Sequence, residues 1–424
     1  MSELGISPLT KGDRHLSVDE ARAAIAAALR PITEGETVPL ARALGRVLGS
    51  DVISPIDVPA HDNSAMDGYA FAGAALAAGG VTRLRSVGTL YAGAPYAGEV
   101  RAGECLRIMT GAVMPEGLDT VVPLELCSVA GEQVAIEPGV ITPGENRRRR
   151  GEDLALGRPA LQAGRVLRPA DLGLAASLGL AELPVLRPLR VALFSTGDEL
   201  RTLGQALEPG CVYDSNRYSL MGALQRLGME VIDLGLVPDD RAALQATLQA
   251  AVAQADVVLT SGGVSMGDAD YTREVLAAMG EVAFWKVAMR PGRPFAFGPL
   301  QRPGGQPPSW LFALPGNPVA ALVTFYAFAR EALLRLAGAR PEPLPTLQAP
   351  CTAAIRKRPG RTEFQRAVVE PAPAGGWQVR LTGSQGAGVL RSMSEANALL
   401  VLRHDQASVA AGDFVDVWLF DGLV

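Results

Sequence analysis

At 424 residues the chain has room for two to four domains of roughly 100–200 residues each. Hydrophobic residues make up 48% of it and charged residues 20%, a balance that excludes a disordered chain, and no apolar run is long enough to cross a bilayer. A net charge of −5 argues against broad nucleic-acid binding, which needs a basic face to displace counterions. The histidines, His15, His61 and His404, are too few for His-rich metal ligation. Cys105, Cys127, Cys211 and Cys351 show no CxxC spacing, so neither a disulfide framework nor a cysteine zinc site is expected. Carboxylates must therefore carry more of the chemistry. The opening MSELGISPLT lacks the basic and apolar regions of a secretory signal, and the cytoplasm is the expected compartment.

Ser17-Val-Asp-Glu20 reads as a capping box opening an alanine-rich helix that ends near Arg30 and is closed by Pro31. From Asp57 to Pro143 short apolar runs are broken by Gly and Pro, the pattern of a β-rich domain inserted into the first. Pro169-Ala-Asp-Leu starts a further helix and Gly179 stops it, as though the first domain resumes. A strand at Leu189–Phe194, a helix after Asp214-Ser215, a strand at Glu230–Leu236, a helix from Asp239 and a strand at Asp256–Thr260 follow βαβ grammar. The strands are near-continuously apolar, as parallel strands buried on both faces should be. The region continues through Val282–Val287, Phe295–Phe297 and Leu311–Leu314 to a long helix from Asn317, giving a doubly wound α/β sheet. After the linker Pro341–Pro345, short strands such as Ala398–Arg403 and Phe414–Leu419 predict a C-terminal β-barrel or meander. The expected division is 1–56 plus 144–187, a helical and extended linking domain; 57–143, the inserted β-rich domain; 188–340, the α/β domain; and 341–424, the C-terminal β domain.

In an open parallel sheet, ligands sit at the carboxyl ends of the strands. Here those ends are polar: Ser195-Thr196-Gly197-Asp198-Glu199, Thr260-Ser261-Gly262-Gly263 running on to Asp270, and Leu314-Pro315-Gly316-Asn317. Gly262 and Gly263 would let backbone amides approach a phosphate, with hydroxyls to supplement them. There is no P-loop motif. Glu199 and Asp270 are placed to serve Mg²⁺ whose other ligands are water and phosphate oxygens, or to cap the helices that follow; Asp268 competes with Asp270 for the first role. Lys286, Arg290 and Arg293 lie in a Pro/Gly-restrained stretch suited to gripping an oxyanion without ordering it on binding, or they are solvated charges. Arg147–Arg150 reads as a solvated turn, with Glu152 and Asp153 leaving an ion-pair or metal-facing role open. His61–Ala70 is dense in acids, amide and hydroxyl and too aperiodic for core, so it reads as a loop.

Together, Asp62–Ala70, Arg149–Asp153, Ser195–Leu200, Thr260–Gly267, Arg290–Pro294 and Leu314–Pro318 closely resemble the molybdopterin molybdenumtransferase family, MoeA, and the matching domain of gephyrin. The resemblance covers nearly the whole chain in the right order. It implies an elongated homodimer with four domains and a pterin-binding α/β domain. It also implies the reaction, insertion of molybdenum from molybdate into adenylated molybdopterin with release of AMP and Mg²⁺ as cofactor. By resemblance, Glu199 and Asp270 serve the metal and the substrate's phosphates, and Gly262, Gly263, Pro315, Gly316 and Asn317 form the cradle. Thr196, Gly197, Asp214, Asn216, Ser261 and Ser265 join the substrate contacts. Asp62 and Asp67 would reach the same cleft from the other subunit, with Asp153 a further catalytic acid. Lys286, Arg290, Arg293 and Arg361 would grip molybdate, Lys286 acting catalytically as well. Arg290 and Arg293 stand where relatives often carry lysine, and Ala387 where they commonly carry serine.

Two rival readings have specific tests. Gly263-Val-Ser265-Met-Gly267 satisfies the nucleophile-elbow pattern of serine hydrolases, and His404 follows it. That reading would place the histidine in a separate β domain and leave the anion motifs without purpose. A non-catalytic pterin-binding scaffold is the second, against which the retained Glu199 and Asp270 argue.

Overall fold

The computed structural model describes residues 15–263 and 270–423, with side chains for 16–263 and 272–423. Helix α1 (Val18–Ala28) begins at the expected box: Glu20 N–H donates to Ser17 Oγ at 3.2 Å and Ser17 N–H to Glu20 Oε2 at 2.8 Å. Such a reciprocal cap satisfies two donors that the first helical turn leaves orphaned.

The centre is a seven-stranded sheet of β1 (His15–Leu16), β2 (Arg190–Thr196), β3 (Glu230–Val237), β4 (Val257–Ser261), β5 (Ala283–Val287), β6 (Pro294–Leu300) and β7 (Ser309–Leu314), in the order β1-β5-β6-β7-β4-β2-β3. β7, β4, β2 and β3 are mutually parallel, while β6 runs antiparallel to both its neighbours. Near-continuous apolarity suggested parallel strands throughout. Connection length decides otherwise: residues 288–293 and 301–308 join these strands, too few for a crossover.

Helix α2 (Pro169–Ser177) starts where Pro169 was expected to open it, and further helices cover both faces of the central sheet. Val191, Leu193, Val257, Leu259, Phe312 and Leu314 face α1, α3 (Asn216–Arg226) and the helix after β7. The alternate residues Ala192, Phe194, Val258, Leu311 and Ala313 face α4 (Arg241–Gln254) and α5 (Asp270–Met279). This alternation is the period-2 geometry of a strand buried on both sides. The helix expected from Asp239 is capped one residue later, where Asp240 Oδ1 accepts from Ala243 N–H at 2.9 Å. The helix after β7 runs as Pro318–Thr324, a π turn at Phe325–Ala329 and Arg330–Leu336.

Residues 35–39 pair with 182–186, and 52–53 with 159–161, so chain on either side of the 57–143 stretch shares one small core around Leu48, Leu161, Leu167 and Leu183. Between them lies a six-stranded sheet in the order Thr120–Pro123, Gly68–Phe71, Glu104–Ile108, Thr82–Leu90, Gln133–Ile136, Cys127–Ala130. The last three residues of the stretch read as an aperiodic loop, with Phe71 after them, are in fact one of its inner strands, Gly68–Phe71, in which Tyr69, Ala70 and Phe71 are buried. Four residues buried on both faces show no alternation, which is why the pattern looked irregular. Gly68 is needed there because a Cβ would press into the Val122 carbonyl. The C-terminal sheet orders Met289–Arg290, Thr362–Pro371, Ala398–Leu402, Phe414–Leu419 and Leu347–Pro350, with Trp377–Leu381 beside Thr362–Pro371. Its first strand is the basic turn between β5 and β6, so this sheet is docked directly onto the α/β unit.

Candidate active site

The carboxyl ends of β2, β4 and β7 converge, and hydrogen bonds tie them. Asn216, the first residue of α3, donates through Nδ2 to Ser261 Oγ at 2.7 Å and to the Gly316 carbonyl at 2.6 Å. Ser261 Oγ reaches the Pro315 carbonyl at 3.3 Å. Gly262 N–H donates to the Leu314 carbonyl at 3.1 Å. That amide was expected to face a phosphate; it is instead a tie between β4 and β7. Gly262, at φ +94°, brings its backbone against Thr196, where a Cβ would meet the Thr196 carbonyl and stand 3.0 Å from Oγ1. Thr196 Oγ1 and Thr260 Oγ1 are buried with no hydrogen-bond partner among the described residues. Both line a small, mostly apolar pocket with Phe194, Leu244, Leu276, Leu311, Gly262 and Gly263, with room for about one water. Buried hydroxyls are ordinarily satisfied, so these two orphans mark a place where a water or a single ligand oxygen would complete the bonding.

Asp214 lies beneath this cradle rather than in it. It is 1% exposed, and its carboxylate accepts from Ser195 Oγ at 3.1 Å and from Arg217 Nε at 3.1 Å. Arg217 continues to Asp233 at 2.6 Å on β3. Asp214 therefore fixes the start of α3, and with it Asn216, by anchoring both to β2 and β3. Glu199 is exposed, and its carboxylate folds back over Gly197, where a Cβ would come within 2.7 Å of Oε2. Asp270 opens α5; its side chain lies outside the described residues, as do Asp268 and the whole of Ser265. His404 follows strand Ala398–Leu402 of the C-terminal sheet. Among the described residues no group of three or more His, Cys, Asp or Glu is placed to hold a metal ion.

The cationic side of the site is built by the turn between β5 and β6. Gly292, at φ +95°, packs so tightly on the helix after β7 that a Cβ would overlap Thr324 Oγ1, and Val287 N–H donates to the Arg293 carbonyl at 2.9 Å. Lys286 is half-buried on β5, while Arg290 and Arg293 are exposed. Arg290 is in parallel register with Glu363 of the C-terminal sheet. Arg361 is there too, its guanidinium on Glu363 Oε1 at 2.8 Å, so part of its charge is already spent on a buried carboxylate. From the same sheet the Ala387 carbonyl accepts from Val319 N–H at 3.0 Å, seating the 384–388 loop on the helix start beside Asn317.

The remaining acids lie in the inserted region and the segment after it. Asp67 is exposed and accepts from Thr110 Oγ1 at 2.6 Å and Thr110 N–H at 2.7 Å, bonds that hold its carboxyl below the usual range. Asp62 Oδ1 accepts from Arg150 N–H at 2.7 Å, with Arg147 at 3.7 Å. Asp153 is exposed nearby. In the run read as a solvated turn with an ion-pair role left open, Arg148, Arg149 and Arg150 are exposed, and three of the four arginines face carboxylates: Arg147 with Asp62, Arg148 with Glu152 at 3.1 Å and Arg150 with Asp57 at 2.6 Å. Sequence reasoning missed the buried Arg217 and Arg366 and the exposed Asp233, whose partners are set by tertiary packing alone.

A doubly wound sheet with a glycine and hydroxyl cradle at its strand ends, faced by a constrained cationic turn, defines an α/β protein with a cleft suited to an anionic ligand. Family models for "MoeA N-terminal region (domain I and II)", "Probable molybdopterin binding domain" and "MoeA C-terminal region (domain IV)" match residues 16–179, 192–335 and 348–420. The chain is 40% identical over 417 residues to a molybdopterin molybdenumtransferase of Haemophilus influenzae, covering 96% of this chain and 100% of that protein. It is 40% identical over 408 residues to a molybdopterin molybdenumtransferase 2 of Mycobacterium tuberculosis, covering 92% and 95%. The crystal structure of a molybdopterin biosynthesis protein, moeA, from Pyrococcus horikoshii superposes with a TM-score of 0.82 at 26% identity, over 96% of this chain and 100% of that one. The chain belongs to the MoeA family of molybdopterin molybdenumtransferases, which makes it a transferase of molybdenum cofactor biosynthesis.

Proposed function

We propose that this chain inserts molybdenum from molybdate into adenylated molybdopterin and releases AMP, using Mg²⁺ and working as a cytoplasmic homodimer. The observation that carries the reading is the convergence on one helix start of the cradle from β2, β4 and β7, the basic turn at 286–293 and the 384–388 loop. A phosphorylated pterin and a second, separate anion could then lie side by side. Among the described residues no helix is long and apolar enough to cross a membrane.

The residues suit these roles. Thr196 and Thr260 offer unsatisfied hydroxyls to phosphate or pterin oxygens, and Asn216 holds Ser261 and Gly316 at fixed spacing so that the pocket is organised before the ligand arrives. Lys286, Arg290, Arg293 and Arg361 offset the repulsion between two anions, a contribution that grows as water is excluded. Glu199, exposed at the end of β2, and Asp270, at the head of α5, supply hard oxygen donors of the kind Mg²⁺ takes when phosphate and water complete its shell. Bound there, the ion would polarise the phosphoanhydride and neutralise charge on the departing AMP. Asp62, Asp67 and Asp153 find their described partners around the inserted sheet, so their service to the cleft rests on a second subunit. The four-domain division at 56/57, 143/144, 187/188 and 340/341 is part of the same reading; the inserted sheet and the 38–185 core have apolar clusters of their own, while helix α1 and Phe364, Leu399, Val401 and Trp418 share the core of the α/β unit.

Incubation with adenylated molybdopterin, Mg²⁺ and molybdate, following AMP release and molybdenum incorporation together, tests the reading. AMP without incorporation, or neither, would overturn it.

A further inference from the structure

The segment 355–358 follows the period-2 pattern of a strand. Ile355 and Lys357 are buried, while Arg356 and Arg358 are exposed. The inward pair is tied to neighbouring chain. Ile355 N–H donates to the Val409 carbonyl at 2.8 Å, and the Ile355 carbonyl accepts from Val409 N–H at 2.9 Å. Lys357 N–H donates to Ser408 Oγ at 3.2 Å, and its ammonium donates to the carbonyls of Gln406 at 2.6 Å and His404 at 3.4 Å. A lysine buried among carbonyls spends its donors on fixing this turn. The backbone between the two arginines is thereby held still.

The arginines themselves are left over. Among the described residues neither guanidinium has a carboxylate within 4 Å, neither backbone N–H has an acceptor, and the Arg356 carbonyl has no donor. Successive peptide groups of an extended chain point to opposite edges, so those of Arg356 and Arg358 face away from Val409 and Ser408, along a free edge. The acids at hand are engaged elsewhere: Glu363 accepts from Arg361 at 2.8 Å and from Gln365 at 3.0 Å, and Asp405 acts on Lys357. The edge borders an open groove of about 650 Å³, lined also by Gly360, Arg361, Glu363 and Ser408. On a chain of net charge −5 it is a local inversion of sign. Two residues of extended chain put the guanidiniums roughly 6.6 Å apart, side by side on one face. A single tetrahedral anion needs donors that converge. A second extended chain with an acid at every other position has the same repeat, and it can pair with the free backbone as well.

We propose that Arg356 and Arg358 form a docking edge for an extended acidic segment of a partner protein, which adds a strand there. Each guanidinium meets a carboxylate of the segment. Arg356 N–H donates to the carbonyl of the acid facing it, and the Arg356 carbonyl accepts that acid's N–H. Thr362 N–H donates to the Ala288 carbonyl at 2.9 Å, so the loop that carries the edge runs straight into the basic turn holding Arg290. A partner held at this edge stands beside that turn. The inference is independent of which anion the turn itself takes.

The test uses the full-length protein and a fluorescein-labelled peptide of alternating glutamate and threonine, with binding read by anisotropy at low salt. The double variant Arg356→Glu, Arg358→Glu should bind it at least tenfold more weakly than wild type, with molybdenum incorporation from added adenylated molybdopterin unchanged. The same peptide N-methylated at its glutamates keeps the charge and loses the donors that face the edge. It should bind wild-type protein at least fivefold more weakly than the unmethylated form, and this comparison decides alone should the double variant fail to fold. Equal affinity of wild type and double variant, or no binding to either, overturns the inference. So does undiminished binding of the N-methylated peptide. Displacement by inorganic phosphate beyond that by chloride at matched ionic strength would give the groove to a small anion, and lost incorporation in a folded double variant would move the arginines into the catalytic site; either result overturns the docking edge.

Discussion

Replacing Gly262 with alanine probes the cradle where it is least tolerant. The residue sits at φ +94°, a conformation that costs an L side chain roughly 1–2 kcal/mol. Its new Cβ would also press on the Thr196 carbonyl, and backbone is the neighbour least able to yield. The ends of β2 and β4 are locked by the Ser195 and Ser261 register, so relief requires the strand ends to part by roughly half an ångström, an overpacking cost of about 1–3 kcal/mol. The sum is about 2–5 kcal/mol, enough to lower the unfolding temperature of a domain this size by roughly 5–15 °C. Gly376→Ala is the control: φ is +77° there but nothing lies within 4 Å, so only the conformational cost applies. Differential scanning calorimetry and calorimetric titration of adenylated molybdopterin read both effects. Gly262→Ala should lose more stability than Gly376→Ala and bind the pterin at least tenfold more weakly. Equal losses in the two variants, with pterin affinity retained, would refute the close-approach argument.

Glu199→Gln should bind adenylated molybdopterin with near-normal affinity yet release AMP at least a hundredfold more slowly, read by chromatography of the nucleotide; undiminished release would remove Glu199 from the metal site. Arg293→Ala should raise the molybdate concentration needed for half-maximal incorporation, and an unaltered requirement would count against the oxyanion grip. Asp256 sits under β2 in a two-point pair with Arg187 at 2.7 and 2.9 Å, and Arg187 also meets Glu34. Burial pushes the Asp256 carboxyl up, but the Arg187 bonds, with Arg190 N–H at 2.9 Å, outweigh it and hold the pKa below the usual value. Its contribution is therefore full above the ordinary carboxylate range and is lost as pH falls through the depressed folded value. Asp256→Asn should destabilise by about 1.5–3 kcal/mol at pH 7, because it removes the charged acceptor of a two-point pair and leaves Arg187 with Glu34 alone, and the gap to wild type should close in acid. A gap that stays constant down to the acid transition in urea unfolding series would contradict the pairing.

Local signals made much of the architecture legible. The capping box at Ser17 and Glu20 involves residues three apart, and the apolar runs of β2 and β4 declare burial on both faces. The polar ends of those strands declared the cradle for the same reason. What escaped depends on contacts between distant residues. The reversed direction of β6 is written in the shortness of its connections, which apolarity overshadowed. Gly68–Phe71 was hidden because a strand buried on both sides loses its alternation. Asp214 stood among the substrate contacts by resemblance, and only tertiary packing shows its oxygens taken by Ser195 and Arg217. Arg366 gave no signal, since its partners are carbonyls some 20 residues away that turn toward it.

The strand His15–Leu16 pairs with Lys286–Val287, and so borders the sheet at the very strand that carries the lysine proposed for the oxyanion site. During synthesis this segment leaves the ribosome before the rest of the sheet and must wait for roughly 270 further residues before its partner exists, a delay of tens of seconds at typical elongation rates. Pairing of such high sequence separation closes late and slowly. An excised α/β unit beginning near residue 188 would leave β5 as a bare ribbon of unpaired donors and acceptors, open to adhesion with other chains. Fragment studies and fusion designs should therefore keep the N-terminal segment attached.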